Sequence, residues 1–202
     1  MDEIIAYLKE KYHPVGILLY GSFASGTNGP GSDFDALVLW ESEQFLHDHG
    51  FVGSTQLDVF VQPRSTLEGQ YDIPEYLRVW DGKILLDELG LLKAMQDKAN
   101  AFIQSYPGKP RSENEQNLAW CEKMLRRAAR GDTEGFYRLH WLLTDSLEVY
   151  FDLKGQYYLG PKKGIRKMLR DDPAAAAVYD RALRQPTPEN LAAWVALLKD
   201  LL

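Results

Sequence analysis

The N-terminal half of the chain contains the segment Gly21-Ser22-Phe23-Ala24-Ser25-Gly26-Thr27, followed after a short loop rich in Gly and Pro by Ser32-Asp33-Phe34-Asp35. Apolar runs flank it, VGILLY at residues 15–20 and ALVLW at residues 36–40. A short apolar run that ends abruptly in small residues is typical of a buried strand whose end supports a functional loop. The segment therefore predicts two strands, the first of which runs into a Gly-Ser turn and the start of a helix.

Two further stretches extend the predicted sheet. TQLDVFVQP at residues 55–63 alternates with the period of a strand, so that Asp58 points away from its apolar neighbours. In YLRVWDGKILLDE at residues 76–88, two apolar runs meet at Asp81-Gly82. This dipeptide favours a two-residue hairpin turn, because both positions of such a turn need positive φ. The sequence thus predicts one more central strand and a hairpin.

The pattern changes near residue 90. Residues 1–90 combine a helix predicted over residues 3–12 with about five strands in a mixed sheet. Beyond them we find no alternating pattern, and helices are predicted over residues 91–105, 113–130, 133–154, 161–171, 174–184 and 188–201, with Ser112, Asp132 and Thr187 as starting caps. The sequence therefore predicts an α+β protein, in which a mixed β-sheet lobe with flanking helices, residues 1–90, is followed by an all-helical bundle, residues 91–202.

The composition is that of an ordinary globular protein, with 202 residues, 45% hydrophobic residues and a formal net charge of −6. The acidic balance disfavours a long nucleic acid as a partner and favours a small or cationic acceptor. Cys121 is the only cysteine, so an intrachain disulfide is excluded and a buried structural thiol is predicted. Because neither a signal-peptide pattern nor a membrane-spanning apolar run occurs, we expect a cytoplasmic protein.

Three aspartates form the strongest candidate for a catalytic site. Asp33 and Asp35 lie two positions apart on one predicted strand, so both project from one face, and Asp58 lies on a later strand. Two carboxylates on one strand face repel each other unless a cation lies between them. Oxygen ligands with room for phosphate and water suit magnesium better than zinc. We therefore predict that Asp33, Asp35 and Asp58 bind two Mg²⁺ ions.

The alternative for the aspartate pair is structural, since an Asp-x-Asp near a turn is usually a solvated strand edge. The order of the motifs favours the metal site over this alternative. A Gly-Ser turn after a strand offers backbone N–H groups to a triphosphate, and the two aspartates and the later Asp58 follow it in fitting elements.

Gly21-Ser22, Ser32-Asp33-Phe34-Asp35 and Asp58 within QLDVFV resemble the signature of the DNA polymerase beta-like nucleotidyltransferase superfamily, in the small bacterial branch that includes the aminoglycoside and lincosamide nucleotidyltransferases. The resemblance is specific over residues 15–90 and looser beyond. It implies that Gly21 and Ser22 contact the phosphates of a nucleoside triphosphate, and Ser32 is a further candidate for nucleotide binding. It also implies that Asp33 and Asp35 bind both metal ions and that Asp58 binds the catalytic one.

The C-terminal half contains a second stretch of this kind, from Tyr150 to Lys163. It is similar to a segment of antibiotic-modifying members in which a lysine can face the triphosphate, which implies a nucleotide-binding role for Lys162 or Lys163. The alternative is that both lysines only begin a solvated helix. Asp145 and Glu148 lie near one helix face and are candidates for an acceptor-side role, such as a general base, with a salt-bridged surface as the alternative.

Together these features predict a metal-dependent nucleotidyltransferase that moves AMP from ATP to a hydroxyl group of a small molecule, for example an antibiotic, and releases pyrophosphate. The alternative is a nucleotidyltransferase-fold antitoxin, or an enzyme that transfers AMP to a protein partner. The long helical half favours the first reading, because it offers room for an acceptor pocket. A non-catalytic nucleotide sensor is disfavoured by the three carboxylates, and nucleic-acid tailing by the acidic charge. The sequence leaves open the identity of the acceptor, the base preference of the nucleotide and the oligomeric state.

Overall fold

A computed structural model describes residues 1–202 and divides the chain into two units, Met1–Gln104 and Ser105–Leu202. The predicted boundary at residue 90 differs from this division by one 14-residue helix, Leu91–Gln104. That helix belongs with the first unit because its buried Leu92 and Met95 pack against the sheet.

The first unit contains five helices and six strands. In chain order these are α1 (Asp2–Tyr12), β1 (Gly16–Leu19), α2 (Gly21–Ser25), β2 (Phe34–Trp40), β3 (Leu46–Asp48), β4 (Phe51–Val52), β5 (Thr55–Pro63), α3 (Ser65–Glu68), α4 (Ile73–Tyr76), β6 (Lys83–Asp87) and α5 (Leu91–Gln104). The strands form one mixed sheet in the order β3-β5-β2-β1-β6, with β4 paired to β5. Only β2 and β5 run parallel, and the other pairs are antiparallel.

Helices cover both faces of this sheet. On one face, Ile4 and Leu8 of α1 pack against Ile17 and Val59. On the other face, α5 packs against a second apolar cluster that includes Leu18, Leu37 and Leu39. The predicted α+β class, with a mixed sheet and flanking helices, is therefore confirmed for this unit.

The hairpin predicted at Asp81-Gly82 is wrong. Only its second strand forms, as β6, whereas the residues before it contain the short helix α4 and turns. Neither Asp81 nor Gly82 adopts positive φ, so the mirror-image turn is absent. A Cβ atom on Gly82 would lie 2.7 Å from the carbonyl oxygen of Leu19. The glycine therefore allows the chain to pass close to β1 rather than to reverse its direction.

The second unit is all helical. It consists of α6 (Arg111–Ala128), α7 (Thr133–Leu153), α8 (Pro161–Asp171), α9 (Pro173–Arg184) and α10 (Pro188–Asp200). Asp132 and Thr187 cap α7 and α10 as predicted, since their side chains accept hydrogen bonds from the N–H groups of Gly135 and Asn190. The predicted cap Ser112 lies inside α6, which begins one residue earlier with Pro110 in the cap position.

The core of the second unit surrounds α7 and α10. Trp194 is fully buried, and its indole N–H donates to the hydroxyl of Ser146 over 2.8 Å. The hydroxyl of Tyr179 donates to the carbonyl oxygen of Leu143 over 2.6 Å. Cys121 is buried, and this burial, followed by the negative charge of Asp145, raises the pKa of its thiol to about 12. In neither unit is any helix both long and apolar enough to span a membrane.

Asp48 joins the edge strand β3 to helix α1. Its carboxylate accepts hydrogen bonds from Tyr12 at 2.6 Å, Lys11 at 2.8 Å and Tyr7 at 3.0 Å, and from the backbone N–H of Gly50 at 3.0 Å. Burial by itself would raise the pKa of Asp48, but the hydrogen bonds outweigh it and hold that pKa well below its usual range. The carboxylate is therefore charged and fully bonded in the folded protein.

We expect Asp48→Asn to lower the free energy of unfolding at pH 7 by about 1–3 kcal/mol, because charge-assisted hydrogen bonds are lost. The pKa of Asp48 is lower in the folded protein than in the unfolded chain, where it is about 4. The stabilisation by the charged carboxylate is therefore complete above about pH 4 and is lost as the pH falls toward the pKa of the folded state. The difference between the native protein and the variant should therefore shrink from pH 7 to pH 2.5 in urea unfolding curves. Asp97→Asn, at an exposed ion pair on α5, serves as the control. An equal difference at both pH values would contradict the assignment.

Candidate functional site

The turn between β1 and α2 lies directly against Asp35. Gly21 begins α2 with φ 66°, and a Cβ atom added there would lie 2.1 Å from Oδ2 of Asp35. The backbone N–H of Tyr20 also donates to the carbonyl oxygen of Asp35 over 3.0 Å. A side chain at position 21 would therefore displace the carboxylate, which explains why the predicted Gly-Ser turn begins with glycine.

The parallel pairing of β2 with β5 brings two of the predicted aspartates together. Asp35 is the register partner of Asp58. On either side of this pair the register matches Phe34 with Leu57 and Ala36 with Val59, all four of which are buried. Since side chains alternate along a strand, Asp35 and Asp58 share the opposite face, where both are half-buried. The sheet thus places two carboxylates side by side.

The other predicted residues of this loop lie just before β2. Asp33 is exposed and precedes the first residue of the strand, and Ser32 is half-buried. The hydroxyl of Ser32 accepts a hydrogen bond from the N–H of Gly29 over 3.0 Å, so it stabilises the loop. No group of three or more His, Cys, Asp or Glu side chains is gathered as a metal site in the structure. The three-aspartate set therefore stays a prediction, and the register joins two of its members.

His47 is a member of the site that the sequence did not indicate. Its Nε2 atom lies 2.6 Å from Oδ1 of Asp58. Its ring stacks on Phe60, with centroids 4.3 Å apart and planes inclined by 8°. His47 pairs with Phe60 in the antiparallel register of β3 and β5. A three-residue strand leaves no room for a periodic pattern, so only the pairing of these strands brings His47 to Asp58.

The electrostatics of this face are dominated by the aspartates. Burial, followed by the negative charge of Asp58, raises the pKa of Tyr20 to about 12, and Asp35 adds to the effect while Arg78 opposes it. The guanidinium carbon of Arg78 lies 4.6 Å from the ring centroid of Phe60. A cavity of about 70 Å³ is lined by Tyr20, Phe60 and Arg78 among others. It is too small for a nucleotide, for which pockets of about 300 Å³ or more are usual.

Lys162 and Lys163 lie in the first turn of α8, in the second unit. Gly160 precedes this helix with φ 85° and Pro161 is its first residue, which fixes the direction of the first turn. Lys162 is exposed and Lys163 is half-buried. Their role toward the nucleotide stays a prediction.

Asp145 and Glu148 line two neighbouring pockets of the second unit. One pocket, of about 320 Å³, is also lined by Trp120 and Trp141. The other, of about 530 Å³, is lined mainly by apolar and aromatic side chains, which include Tyr158. The indole N–H of Trp141 donates to Asp145. Burial, followed by the charges of Glu148 and Asp145, raises the pKa of Tyr158, so both carboxylates act on the pocket electrostatically.

A basic side chain accompanies these acids in the smaller pocket. Lys109 forms ion pairs with Asp152 at 2.9 Å, with Glu113 at 3.4 Å and with Glu148 at 3.7 Å. Three carboxylates thus surround one ammonium group, and two of them, Asp152 and Glu148, line the pocket together with Asp145. The pocket walls therefore carry an excess of negative charge beside two tryptophan rings.

Comparison with known proteins finds one family model that is similar to the N-terminal part of the chain. Residues 1–88 match the family model described as "Nucleotidyltransferase domain". No curated protein matches the chain. Among solved structures, a nucleotidyltransferase-like protein from Exiguobacterium sibiricum 255-15 is similar to this chain with 15% sequence identity and a TM-score of 0.44. The similarity covers 99% of this chain and 73% of that one.

The contact of Gly21 with Asp35 yields a prediction with a matched control on the same helix. Gly21→Ala and Gly26→Ala both place an alanine at positive φ, at 66° and 67°, which costs about 1–2 kcal/mol of folding free energy. A Cβ atom at position 26 meets nothing within 4 Å. We expect Gly21→Ala to be the more destabilising, because it must also displace the Asp35 carboxylate. Chemical denaturation of both variants measures this, and equal losses would contradict the close contact.

Proposed function

We propose that the protein transfers AMP from ATP to a hydroxyl group of a small cationic molecule, since residues 1–88 match the family model of a nucleotidyltransferase domain. In this reaction the acceptor oxygen forms a bond to the α-phosphorus. The bond between that phosphorus and the oxygen bridging to the β-phosphate breaks, and pyrophosphate leaves. The observation that carries the proposal is the pairing of Asp35 with Asp58 on one face of the sheet, against Gly21.

The donor set of the first unit fits magnesium. Asp35 and Asp58 are adjacent in register and half-buried, and Asp33 lies two positions before Asp35. Carboxylate oxygens are the ligands that Mg²⁺ prefers, with phosphate oxygens and water completing its shell. We propose that the three aspartates hold two Mg²⁺ ions, which when bound neutralise the triphosphate and polarise the reacting oxygens.

The remaining groups of the proposed site bind the nucleotide. Gly21 and Ser22 begin α2, whose cap residue Tyr20 makes no side-chain hydrogen bond to the first turn, and in this proposal the N–H groups of that turn bind phosphate oxygens. Ser32 lies in the loop before Asp33. Lys162 or Lys163 supplies a cation for the triphosphate, as charge-assisted contacts to phosphate require.

The acceptor binds to the second unit in this proposal. Asp145 and Glu148 line two pockets of drug-molecule size, and the tryptophan rings offer flat apolar surface beside negative charge. This combination suits a hydroxylated ring that bears amino groups, such as an aminoglycoside. A carboxylate of this pair is also able to accept the proton that leaves the attacking hydroxyl group.

We expect Asp35→Asn and Asp58→Asn to reduce transfer by more than about 100-fold, because each removes an ionised metal ligand. Without magnesium, thermal melting of Asp35→Asn should be unchanged or slightly higher, since one of two repelling charges is gone. Calorimetry of ATP binding in magnesium and in excess chelator checks the metal requirement, with the exposed Asp72→Asn as the control. Near-normal turnover in either variant, or equal ATP affinity in magnesium and chelator, would overturn the metal assignment.

The acceptor is tested by a panel of aminoglycosides, lincosamides and neutral sugars with magnesium and ATP, with pyrophosphate release as the measurement. For a cationic acceptor, Asp145→Asn and Glu148→Gln should lower kcat/KM by about tenfold each, because a charge-assisted contact is worth roughly 1.5–3 kcal/mol. The KM for ATP should stay constant. Glu134→Gln, on the same helix but in ion pairs with Arg130 and Arg138, is the control. Modification of a protein partner alone would instead support the protein-modifying alternative.

A further inference from the structure

His47 of the edge strand β3 lies on the sheet face that carries Asp35 and Asp58. The proposed reaction assigns no role to this side chain. The Nε2 atom of His47 lies 2.6 Å from Oδ1 of Asp58, close enough for a hydrogen bond. Its ring is held flat against Phe60. A histidine in contact with a carboxylate at a functional site is a candidate for orienting that carboxylate.

Three independent contacts fix the position of this imidazole. Stacking on Phe60 sets the plane of the ring, at 4.3 Å between centroids. The antiparallel register of β3 with β5 sets its height along the sheet. The next residue, Asp48, ties β3 to α1 through Lys11, Tyr12 and Tyr7 on the opposite face of the strand. The orientation of the His47 ring is therefore restricted, although its side chain is 48% exposed.

The contact leaves Asp58 able to bind a cation. A carboxylate has two oxygens with about four lone pairs, and His47 engages one of these oxygens. The strand order sets β3 on one side of β5 and β2, with Asp35, on the other. The histidine thus approaches Asp58 from the strand that lies away from Asp35. The second oxygen of Asp58 lies outside this contact.

We propose that His47 is a positioning residue, which donates a hydrogen bond through Nε2 to Asp58 and holds its carboxylate in the orientation that binds the metal ion. This inference rests on the proposed function, because it assigns the metal to Asp58. His47 itself touches neither metal nor substrate. Its contribution is to restrict the rotation of the carboxylate, which lowers the entropy lost when the metal binds.

The test is the affinity of the full-length protein for Mn²⁺ in the presence of a non-hydrolysable ATP analogue, read from the electron paramagnetic resonance signal of free Mn²⁺. We expect His47→Ala to weaken Mn²⁺ binding by about tenfold or more, as removal of a hydrogen-bond partner of a metal ligand does. His47→Gln should restore most of the affinity, because its amide N–H reaches the same oxygen. Rescue by glutamine separates a positioning role from loss of local packing.

His49 supplies the matched control. It follows β3, is exposed, and contacts the backbone oxygen of His47 rather than Asp58. His49→Ala should therefore bind Mn²⁺ like the native protein, and thermal melting of all variants checks the fold. If Asp58→Asn loses Mn²⁺ binding but His47→Ala binds Mn²⁺ as tightly as the native protein or more tightly, the positioning role is overturned. If the native protein and Asp58→Asn bind Mn²⁺ equally, the metal assignment fails and this inference fails with it.

Discussion

The parallel pairing of β2 with β5 is the constraint on which the candidate site depends. It is the only parallel pair in an otherwise antiparallel sheet, and its register sets Asp35 beside Asp58. Because the neighbouring residues Phe34, Ala36, Leu57 and Val59 are buried on the other face, the two carboxylates have one face available to them. Gly21 is then required where α2 begins, since any larger residue would meet the Asp35 carboxylate. One register therefore determines the position of three groups that come from three separate elements.

Two consecutive residues of the edge strand β3 contact different parts of the first unit. Asp48 faces α1 and is bonded by Lys11, Tyr12 and Tyr7, whereas His47 faces the other side and contacts Asp58. Successive side chains of a strand point to opposite faces, so one short strand reaches both. Packing of the N-terminal helix and orientation of a candidate metal ligand are thus mechanically linked through a single peptide unit.

The sequence predicted the long, regular elements well and the short, contact-dependent ones poorly. Strand 55–63 and helix 161–171 have the predicted bounds. The strand is an alternating run that ends at a proline, and the helix begins at a proline, so the local sequence marks both elements. The prediction of a hairpin at Asp81-Gly82 was wrong because the glycine is needed for a close approach to β1. The local sequence does not reveal this contact. His47 was missed because its partner is 11 residues away across a strand pair. The spacing of the motif aspartates made them candidates for the site, whereas the pairing of Asp35 with Asp58 is visible only in the sheet.

The alternation of β5 has a consequence for folding itself. A slip of β5 by one residue against β2 would turn Leu57 and Val59 toward the face that holds Asp35 and bury Asp58 among the apolar side chains beneath α1. An ionised carboxylate buried among apolar side chains would carry a large desolvation penalty. The acidic residue that we assign to metal binding therefore also excludes the nearest misfolded arrangement of the sheet. A chain that carried an apolar residue there would lose a metal ligand and, with it, part of the energy gap between the native alignment and its closest competitor.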